Sequence, residues 1–364
     1  MNTRRNALGV ALFLAITVLA PSSLVAQPTD ATLKAVPNLR PELQPFASLL
    51  GNWKGEGSAT VPNVGEMAWT SHSTVKPVLD GKFIQAEMVI QFDLGTLLYR
   101  SYYAWDASQE KIVTYSIGNT GEFEVSDHVR WAPDGKLLIY TTKIEEGVPM
   151  VTRNVTTINE NEQSFLWQVA SGAGDFETTV SGSSKKVAEE FKITESQWSA
   201  PFMPGMPMAP EMEKLSGMIG DYKVRGKVSM NPAMPPMEVT ADETVRSIFG
   251  GAAIMIHVKG DPTPAAGNFR HEAIAIMTWD PARKCFKEFW ISNGGDTAVQ
   301  ELRFVDERKL VTVHASMQMG TPQTLRGVIH LDESGGLKRS VMNRLYGAQA
   351  SDTYFEGTYE KMPQ

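Results

Sequence analysis

Apolar and polar residues alternate along most of this chain with the two-residue period of a β-strand. The alternation is clearest in 83–92 (FIQAEMVIQF) and 254–259 (IMIHVK), and this period is typical of strands with one buried face. Turn sequences interrupt the alternation at short intervals, among them Asp80-Gly81, Asp134-Gly135 and Gly250-Gly251. The chain is therefore predicted to be an all-β protein built from many short antiparallel strands.

Two segments depart from the strand pattern. Pro41 to Leu50 and Pro210 to Ile219 each begin with proline, carry apolar residues three and four positions apart and end before a glycine. These features predict two short helices, each preceding a set of strands and closing one end of a barrel. Many evenly spaced short strands favour closed barrels, because closure leaves no exposed sheet edge. A β-sandwich is the alternative.

The sequence also repeats itself. The matching segments, in chain order, are 46–54 (FASLLGNWK) with 215–223 (LSGMIGDYK), 104–106 (AWD) with 278–280 (TWD), and 117–121 (IGNTG) with 291–295 (ISNGG). Their order is kept and their offsets drift by a few residues, as expected when insertions fall in loops. We therefore expect two related barrels, at 40–198 and 211–362. Residues 199–210 are predicted to be an extended linker, since their four prolines do not fit a strand ladder or a helix.

The amino terminus has the pattern of an exported protein. Arg4 and Arg5 precede an apolar run from Ala7 to Ala20, and small residues ending at Ala26 offer a cleavage site. The run is shorter than the about 20 residues that cross a bilayer. We expect 1–26 to be a signal peptide cleaved near Ala26, a periplasmic or secreted location in a bacterium, and no stable membrane insertion. The export route stays open.

Composition excludes several functional classes. Loss of the two leader arginines changes the formal net charge from −7 to −9, and an acidic chain without a basic cluster is not expected to bind nucleic acid. The single cysteine, Cys285, excludes an internal disulfide and a cysteine-built metal site. No hydrolase or phosphate-loop motif is present. Asp242 and Glu243 are strand neighbours that face opposite sides, so no shared acid pair is expected there.

Eight residues are singled out as candidates. Asn119 and Asn293 stand beside equivalent turns and are candidate polar groups at a cavity mouth. His257 and His271 flank a turn-rich segment, so they are candidates to meet on neighbouring strands as a second ligand-binding pair. The other four are expected to close a barrel end structurally, by stacking an aromatic ring on an arginine. They are Trp53 with Arg153 and Tyr222 with Arg326.

Several motifs resemble known families. The segment 51–57 (GNWKGEG), after a short helix, is similar to the opening of lipocalin-type (calycin) barrels and more closely to that of the nitrobindins, as is 119–125 (NTGEFEV). The second repeat resembles an uncharacterised bacterial family, domain of unknown function 1579, through 220–222 (GDY), 235–237 (PPM) and 243–246 (ETVR). The resemblance implies two tandem antiparallel lipocalin-like β-barrels.

The nitrobindin resemblance implies a haem held by a histidine on the last strand. The segments expected to close the repeats, 190–195 (EFKITE) and 354–359 (YFEGTY), contain no histidine, so we expect no haem, no other cofactor and no metal. The predicted function is that of a non-catalytic binder of a small apolar ligand in a barrel cavity. Two alternatives stay open: a structural or protein-interaction module with filled barrels, and an enzyme with a pocket acid or base. The oligomeric state also stays open.

Overall fold

The chain forms two closed antiparallel barrels in tandem. The computed structural model describes residues 35–61, 64–107, 109–145, 147–203, 209–229, 235–264, 267–318, 321–345 and 352–363. Its two compact units are Met1–Met206 and Pro207–Gln364, and each holds one barrel of ten strands. The predicted all-β fold of two tandem barrels, each preceded by a short helix, is confirmed. The predicted signal peptide, 1–26, lies outside the described residues, as do 204–208 of the predicted linker.

The first barrel follows a 3-10 helix, Pro41–Leu49. Each strand pairs with its sequence neighbours, and β1 pairs with β10 to complete the ring. The strands are β1 (Gly51–Val61), β2 (Gly65–Val78), β3 (Phe83–Phe92), β4 (Gly95–Asp106), β5 (Lys111–Gly118), β6 (Phe123–Trp131), β7 (Leu137–Glu145), β8 (Val148–Ile158), β9 (Glu162–Ser171) and β10 (Glu177–Val187). A one-turn α-helix, Glu195–Trp198, follows β10.

The second barrel repeats this plan after a 3-10 helix, Pro210–Met218. A third 3-10 turn, Phe249–Gly251, connects its second and third strands, and β11 pairs with β20 to close the ring. The strands are β11 (Gly220–Val228), β12 (Met237–Ile248), β13 (Ala253–Gly260), β14 (Glu272–Asp280), β15 (Cys285–Ser292), β16 (Thr297–Asp306), β17 (Lys309–Gln318), β18 (Thr321–Leu331), β19 (Leu337–Leu345) and β20 (Asp352–Lys361).

The 3-10 helix before each barrel, here called the plug helix, fills one end of the lumen. Its buried residues are Leu43, Phe46 and Leu49 in the first barrel and Met212, Leu215 and Met218 in the second. They join the lumen-facing apolar side chains of the strands in one core cluster per barrel. Burial of apolar side chains against the strand wall stabilises each plug helix, as the spacing of its apolar residues predicts.

An aromatic residue on the first strand ties each plug helix to its barrel. The indole N–H of Trp53 donates to the carbonyl oxygen of Leu49 at 2.8 Å, and the Tyr222 hydroxyl donates to the carbonyl oxygen of Met218 at 2.9 Å. Both carbonyls lie at the end of a helix, where the backbone leaves acceptors unpaired. Trp53 and Tyr222 therefore complete the hydrogen bonding of the plug helices while filling the core.

The cation beside each of these rings differs from the prediction. Lys186 Nζ lies 5.1 Å from the Trp53 ring centroid, and Lys361 Nζ lies 5.7 Å from that of Tyr222. Arg153 instead lies over Phe176 at 4.1 Å and donates to Gln168, and Arg326 is exposed. The predicted pairing with arginine is thus corrected to pairing with a lysine from the closing strand. The reason is strand parity: each arginine sits next to a lumen-facing position and points outward.

The closing strand of the first barrel also differs from the prediction. Glu190–Glu195 was expected to close the ring, but β10 ends at Val187 and residues 188–203 form a strap along the outside of the wall. Phe191 stacks on His72 at 5.1 Å, and the Arg100 guanidinium lies 4.3 Å from the Trp198 ring centroid. The apolar pattern of 190–195 therefore reflects burial against β2–β4, which a pattern alone does not distinguish from burial within a sheet.

The strap ends in the mouth of the first barrel, opposite the plug helix. Phe202 is only 8% exposed and packs on Leu97, and together with Ile90, Phe92, Tyr99, Trp167 and Met203 these two residues form one cluster. Ile90 lies on the face of β3 that carries Ile84, which belongs to the cluster around the plug helix. The Thr96 N–H donates to the Phe202 carbonyl at 3.1 Å. Phe202 thus covers the lumen at the mouth.

A cross-strand pair of glycines recurs at the seam of both barrels. Gly57 pairs with Gly182, and Gly226 pairs with Gly357. A Cβ on Gly182 would lie 2.2 Å from the Trp69 ring, and one on Gly357 would lie 2.5 Å from the Phe355 ring. Only glycine lets the aromatic ring lie this close to the backbone.

Candidate functional site

Two glutamates lie inside the second barrel, where the charge of one affects the other. Glu243 on β12 pairs with Tyr222 and Val258, and Glu288 on β15 pairs with Met277. These partners belong to the lumen core, and cross-strand partners point to the same side of a sheet. Glu243 is 7% exposed and Glu288 is 5% exposed. Both carboxyl groups therefore lie in the lumen.

Within the described residues, the two carboxyl groups have different partners. The Gln300 side-chain amide donates to Glu288 Oε1, and the Thr312 hydroxyl donates to Gln300 Oε1 at 3.1 Å. This chain of donors is directed at Glu288 and supports a negative charge there. The Glu243 carboxyl makes no hydrogen bond to a described residue, and neither glutamate forms an ion pair with a described cation.

Burial and mutual repulsion control the protonation of this pair. Removal from water raises the pKa of Glu243 to about 8, and the charge of Glu288 adds to that increase. Burial likewise raises the pKa of Glu288 to about 7, against the stabilising Gln300 hydrogen bond. Burial and the two carboxylates raise the pKa of Tyr359, whose hydroxyl lies beside Ser340. The two glutamates of this lumen therefore exchange protons near neutral pH, while Tyr359 stays protonated.

The wall around the pair is apolar and aromatic. Ala273, Ala275, Ile256 and Phe286 belong to the core cluster, and Trp290 packs against it. The buried Arg344 is neutralised elsewhere, because its guanidinium donates to Asp352 at 2.8 Å and to the Ser229 carbonyl at 2.9 Å. The lumen of the second barrel thus combines two acids with an apolar surface.

The polar side chains in the lumen of the first barrel carry mainly hydroxyl groups. Ser101 and Ser116 share a hydrogen bond of 2.8 Å, and Ser126 and Thr141 share another. Its half-buried acid, Glu124, pairs with Ser116 in register, and removal from water raises the pKa of Glu124 to about 7 while Lys143 opposes the rise. The hydroxyl pairs satisfy each other without charge.

The structure places Asn119 and Asn293 at matching positions after β5 and β15. The Asn119 side chain accepts from Leu98 N–H at 3.0 Å and donates to the Thr96 carbonyl at 2.8 Å. The Asn293 side chain accepts from Glu272 N–H at 2.9 Å and donates to the Arg270 carbonyl at 2.7 Å. Each amide extends the hydrogen bonding of a neighbouring strand past its last ladder pair. Their ligand role stays a prediction.

The structure does not bring His257 and His271 together. His257 alternates with the core residues Ile256 and Val258, so it points outward, where its Nε2 lies 2.7 Å from Glu272 Oε1. His271 has the opposite parity and stacks on Trp290, with ring centroids 6.2 Å apart. Burial lowers the pKa of His271. The histidine pair is therefore corrected to two separate residues on opposite faces of the sheet, of which only His271 borders the lumen.

Sequence reasoning missed Glu243 and Glu288, although a signal for both was present. Glu288 lies midway between Phe286 and Trp290, and Glu243 lies two residues before Val245. A glutamate at the parity of aromatic and aliphatic neighbours is predicted to be buried. In the sequence, only the adjacent pair Asp242-Glu243 was considered. The partner of Glu243 inside the barrel is Glu288, which lies 45 positions later on another strand.

Two further cavities lie on other surfaces of the described residues. One cavity of about 630 Å³ lies among turns of the second barrel and is lined by Arg308, Lys309, His330 and Arg339 among others. A second, of about 290 Å³, lies beside the plug helix at Met212 and Ile254. No three or more described His, Cys, Asp or Glu residues are grouped to hold a metal. In the described part of the chain, no helix is both long enough and apolar enough to span a membrane.

Comparisons with solved structures give distant similarities. Rv2717c from M. tuberculosis is 13% identical over 41% of this chain and 99% of its own, with a TM-score of 0.30. A protein of unknown function from the DUF3598 family of Nostoc punctiforme is 10% identical over 89% of this chain and 100% of its own, with a TM-score of 0.25. At these scores neither carries an argument. No curated protein matches the sequence.

The family match is specific. The sequence profile described as "Protein of unknown function (DUF1579)" matches residues 39–186 and again residues 208–354. The resemblance predicted for the second repeat therefore extends to the first, and the nitrobindin resemblance of the first repeat is not confirmed. Both matches cover most of a barrel, so the duplication seen in the motifs is a duplication of the family's domain. The chain belongs to the DUF1579 family and carries that domain twice.

Proposed function

We propose that this chain is an exported, non-catalytic binding protein whose second barrel holds a small, mainly apolar molecule. The observation that carries the proposal is the buried pair Glu243 and Glu288, which no described cation neutralises. Ionising a buried carboxyl group that has no cationic partner costs several kcal/mol. The equivalent positions of the first barrel carry the neutral hydroxyl groups of Ser73 and Thr114, which do not have that cost, so the acids favour a role beyond stability.

Export is the second part of the proposal. It rests on Arg4, Arg5, the apolar run from Ala7 to Ala20 and the small residues before Gln27. The location proposed is the bacterial periplasm or the medium. Fractionation followed by amino-terminal sequencing tests it: a mature chain beginning at Gln27 in the exported fraction is expected, and an intact Met1 in the cytosol contradicts it.

The binding experiment uses the mature chain purified from its own periplasm or medium. Native mass spectrometry is expected to show a co-purifying small molecule, and titration with the neutral fluorescent probe N-phenyl-1-naphthylamine is expected to show one apolar site per chain. A visible absorption scan shows in the same sample whether haem is present. An apo mass together with no probe binding contradicts the proposal and favours a protein-interaction module with filled barrels.

Acid–base catalysis in the same lumen is a second candidate. It is favoured by one observation, that burial raises the pKa of Glu288 to about 7 and that of Glu243 to about 8, the range in which a carboxyl group both accepts and donates protons at physiological pH. Chemical conversion of the co-purifying molecule during incubation, abolished by Glu288→Gln, distinguishes this candidate from simple binding.

A further inference from the structure

We propose that the lumen of the second barrel takes ligands that carry a protonated amine on an apolar body, with Glu243 and Glu288 as the anionic partners. The inference rests on the proposed binding function and narrows its ligand class. It stands on the placement of two carboxyl groups, 7% and 5% exposed, inside an apolar lumen. The amine is the missing counter-charge, and the apolar body replaces water along the wall.

The charges of the lumen point to a cation. Glu243 has neither a hydrogen-bond donor nor an ion-pair partner among the described residues, and Glu288 has only the amide of Gln300. Arg344, the buried cation of the same barrel, is already bound to Asp352. An ammonium group placed between the two carboxylates forms charge-assisted hydrogen bonds, which are stronger than bonds between neutral groups. An anionic ligand forms no such bonds and is repelled by each carboxyl group that ionises.

The apolar surface points to the rest of the ligand. Phe286 is fully buried in the core cluster, and Trp290 and Tyr359 pack against it. Tyr359 is also within electrostatic range of both glutamates. Aromatic faces near a carboxylate pair attract cations as well as aliphatic groups. The same surface accepts the chain or ring of an amphiphilic amine.

Proton balance follows from the groups that face this lumen. Among the described residues, those with titratable or charged side chains are Tyr222, Glu243, His271, Glu288, His314, Arg344, Tyr359 and, over the Tyr222 ring, Lys361. The buried residues of the plug helix are apolar. Burial raises the pKa of Glu243 to about 8 and that of Glu288 to about 7, so near neutral pH the free barrel holds a proton on most Glu243 side chains and on about half of the Glu288 side chains. Binding of an ammonium ionises them, and these protons pass to solvent. Amine affinity should therefore rise with pH.

The test compares two probes of equal length on the mature full chain, 1-octylamine and 1-octanol, by displacement of N-phenyl-1-naphthylamine. An alkylamine stays protonated below about pH 10, so its charge is constant across the experiment. At pH 8 we expect the amine to bind at least about tenfold more tightly than the alcohol, the ratio of one charge-assisted hydrogen bond. Between pH 6 and pH 9 the amine affinity should rise, while the alcohol affinity stays constant.

Isosteric variants assign the effect to the pair. Glu243→Gln with Glu288→Gln is expected to remove the preference for the amine and its pH dependence, while the alcohol still displaces the probe. The control is Glu238→Gln, an outward-facing residue of the same strand that contacts Lys227. It should behave as the unmodified protein. Circular dichroism and the thermal midpoint confirm that each variant is folded.

The outcomes separate the two proposals. Probe binding with equal displacement by amine and alcohol overturns the amine inference and leaves the binding function in place. Tighter displacement by octanoate than by octylamine overturns it as well. Absence of probe binding to the unmodified chain overturns the binding function, and the inference with it. Retention of amine preference in the double variant shows that other groups carry the charge recognition and overturns the assignment.

Discussion

The two barrels share a scaffold and differ in the chemistry of their lumens. The two barrels can be aligned on Trp53 with Tyr222 and on Trp105 with Trp279. In this alignment, three lumen positions of the first barrel are equivalent to three of the second. The equivalent residues, first barrel then second, are Ser73 and Glu243, Thr114 and Glu288, and Ser126 and Gln300. Small neutral hydroxyls in one copy are acids and an amide in the other. The two lumens therefore differ in charge and in hydrogen-bonding groups, and the proposed binding function rests on that difference.

What the copies share is structural. Both keep the aromatic tether to the plug helix, the asparagine that extends a strand, and the glycine pair beneath an aromatic ring. These features hold the ring closed or its end filled, and none involves an unpaired charge. Retention in both copies is therefore expected from the demands of the barrel, while the divergence at the acid positions is expected if only the second barrel binds the proposed ligand.

The largest expected effect comes from removing the aromatic residue that ties the plug helix to its barrel, a feature of both copies. Trp53→Ala and Tyr222→Ala each remove a fully buried ring and its hydrogen bond to the plug helix, and each should lower the free energy of unfolding by about 3–5 kcal/mol. Urea unfolding followed by tryptophan fluorescence and circular dichroism measures the loss. Tyr222→Phe, which removes the hydroxyl alone, should lose about 1 kcal/mol. A small loss in one alanine variant shows that the plug is dispensable in that barrel.

The next effect is a difference between the two lumens in how the stability of the protein depends on pH. The folded pKa values of Glu243 and Glu288, about 8 and about 7, lie above the usual carboxyl value of 4.5, so the folded state binds their protons more tightly than the unfolded state. Their stabilising contribution is complete below about pH 4.5 and is lost as pH rises through 7 to 8. At pH 9, Glu243→Gln should exceed the unmodified protein in stability by roughly 2–4 kcal/mol.

The matched control for pH is Glu124 in the first barrel. Burial raises its pKa to about 7, but Lys143 opposes the rise, so Glu124→Gln should give a smaller gain at pH 9 than Glu243→Gln. Urea unfolding at pH 5 and pH 9 provides both comparisons. Equal stability of Glu243→Gln and the unmodified chain at pH 9 would contradict the burial of an ionising group at this position.

A third prediction opens the mouth of the first barrel. Phe202→Ala removes the side chain that covers Leu97 and should lower the free energy of unfolding by about 2–3 kcal/mol, less than a fully enclosed phenylalanine. It should also create a second binding site for N-phenyl-1-naphthylamine. Fluorescence titration then gives two sites per chain in place of one. Phe202→Leu, which keeps the mouth covered, should leave the stoichiometry unchanged.

The smallest effect concerns the paired asparagines. Asn119→Ala and Asn293→Ala each remove at least two side-chain hydrogen bonds to the backbone and should lower the free energy of unfolding by about 1–2 kcal/mol. If the amides are structural in both copies, probe affinity stays constant in both variants. A fall in probe affinity confined to Asn293→Ala would instead support the ligand role predicted from the turn.

The sequence carried the architecture well because barrel strands and plug helices are local patterns. Residues 83–92 were predicted as a strand from alternation alone, and β3 has those bounds. Both proline-led segments are plug helices, in 3-10 geometry. Residues 190–195 were misassigned because Ile193 is buried and Phe191 half-buried on the outside of the wall, and burial leaves the same apolar signature on either side of a sheet.

The candidate site was harder to predict because it depends on pairing between distant strands. Glu243 and Glu288 meet only when β12 and β15 curve around one lumen, and no local pattern contains both. The predicted stacking of arginine on the aromatic rings was wrong for the same reason. The cation beside Trp53 is determined by the closing strand, which pairs with β1 and places Lys186 there. Residue parity could have marked each glutamate as buried, but not their proximity.

The seam between first and last strands has a consequence for how the chain folds. Asn52 pairs with Val187, and Tyr222 with Lys361, so neither ring closes until an entire repeat is available. Contacts between residues this far apart in the sequence form slowly, because the chain loses the entropy of loop closure before the strands pair and gain stability. Before closure each repeat presents two unpaired strand edges, and the neighbouring copy offers edges of related sequence. Exchange of closing strands between the copies is therefore the misfolded product to look for during refolding.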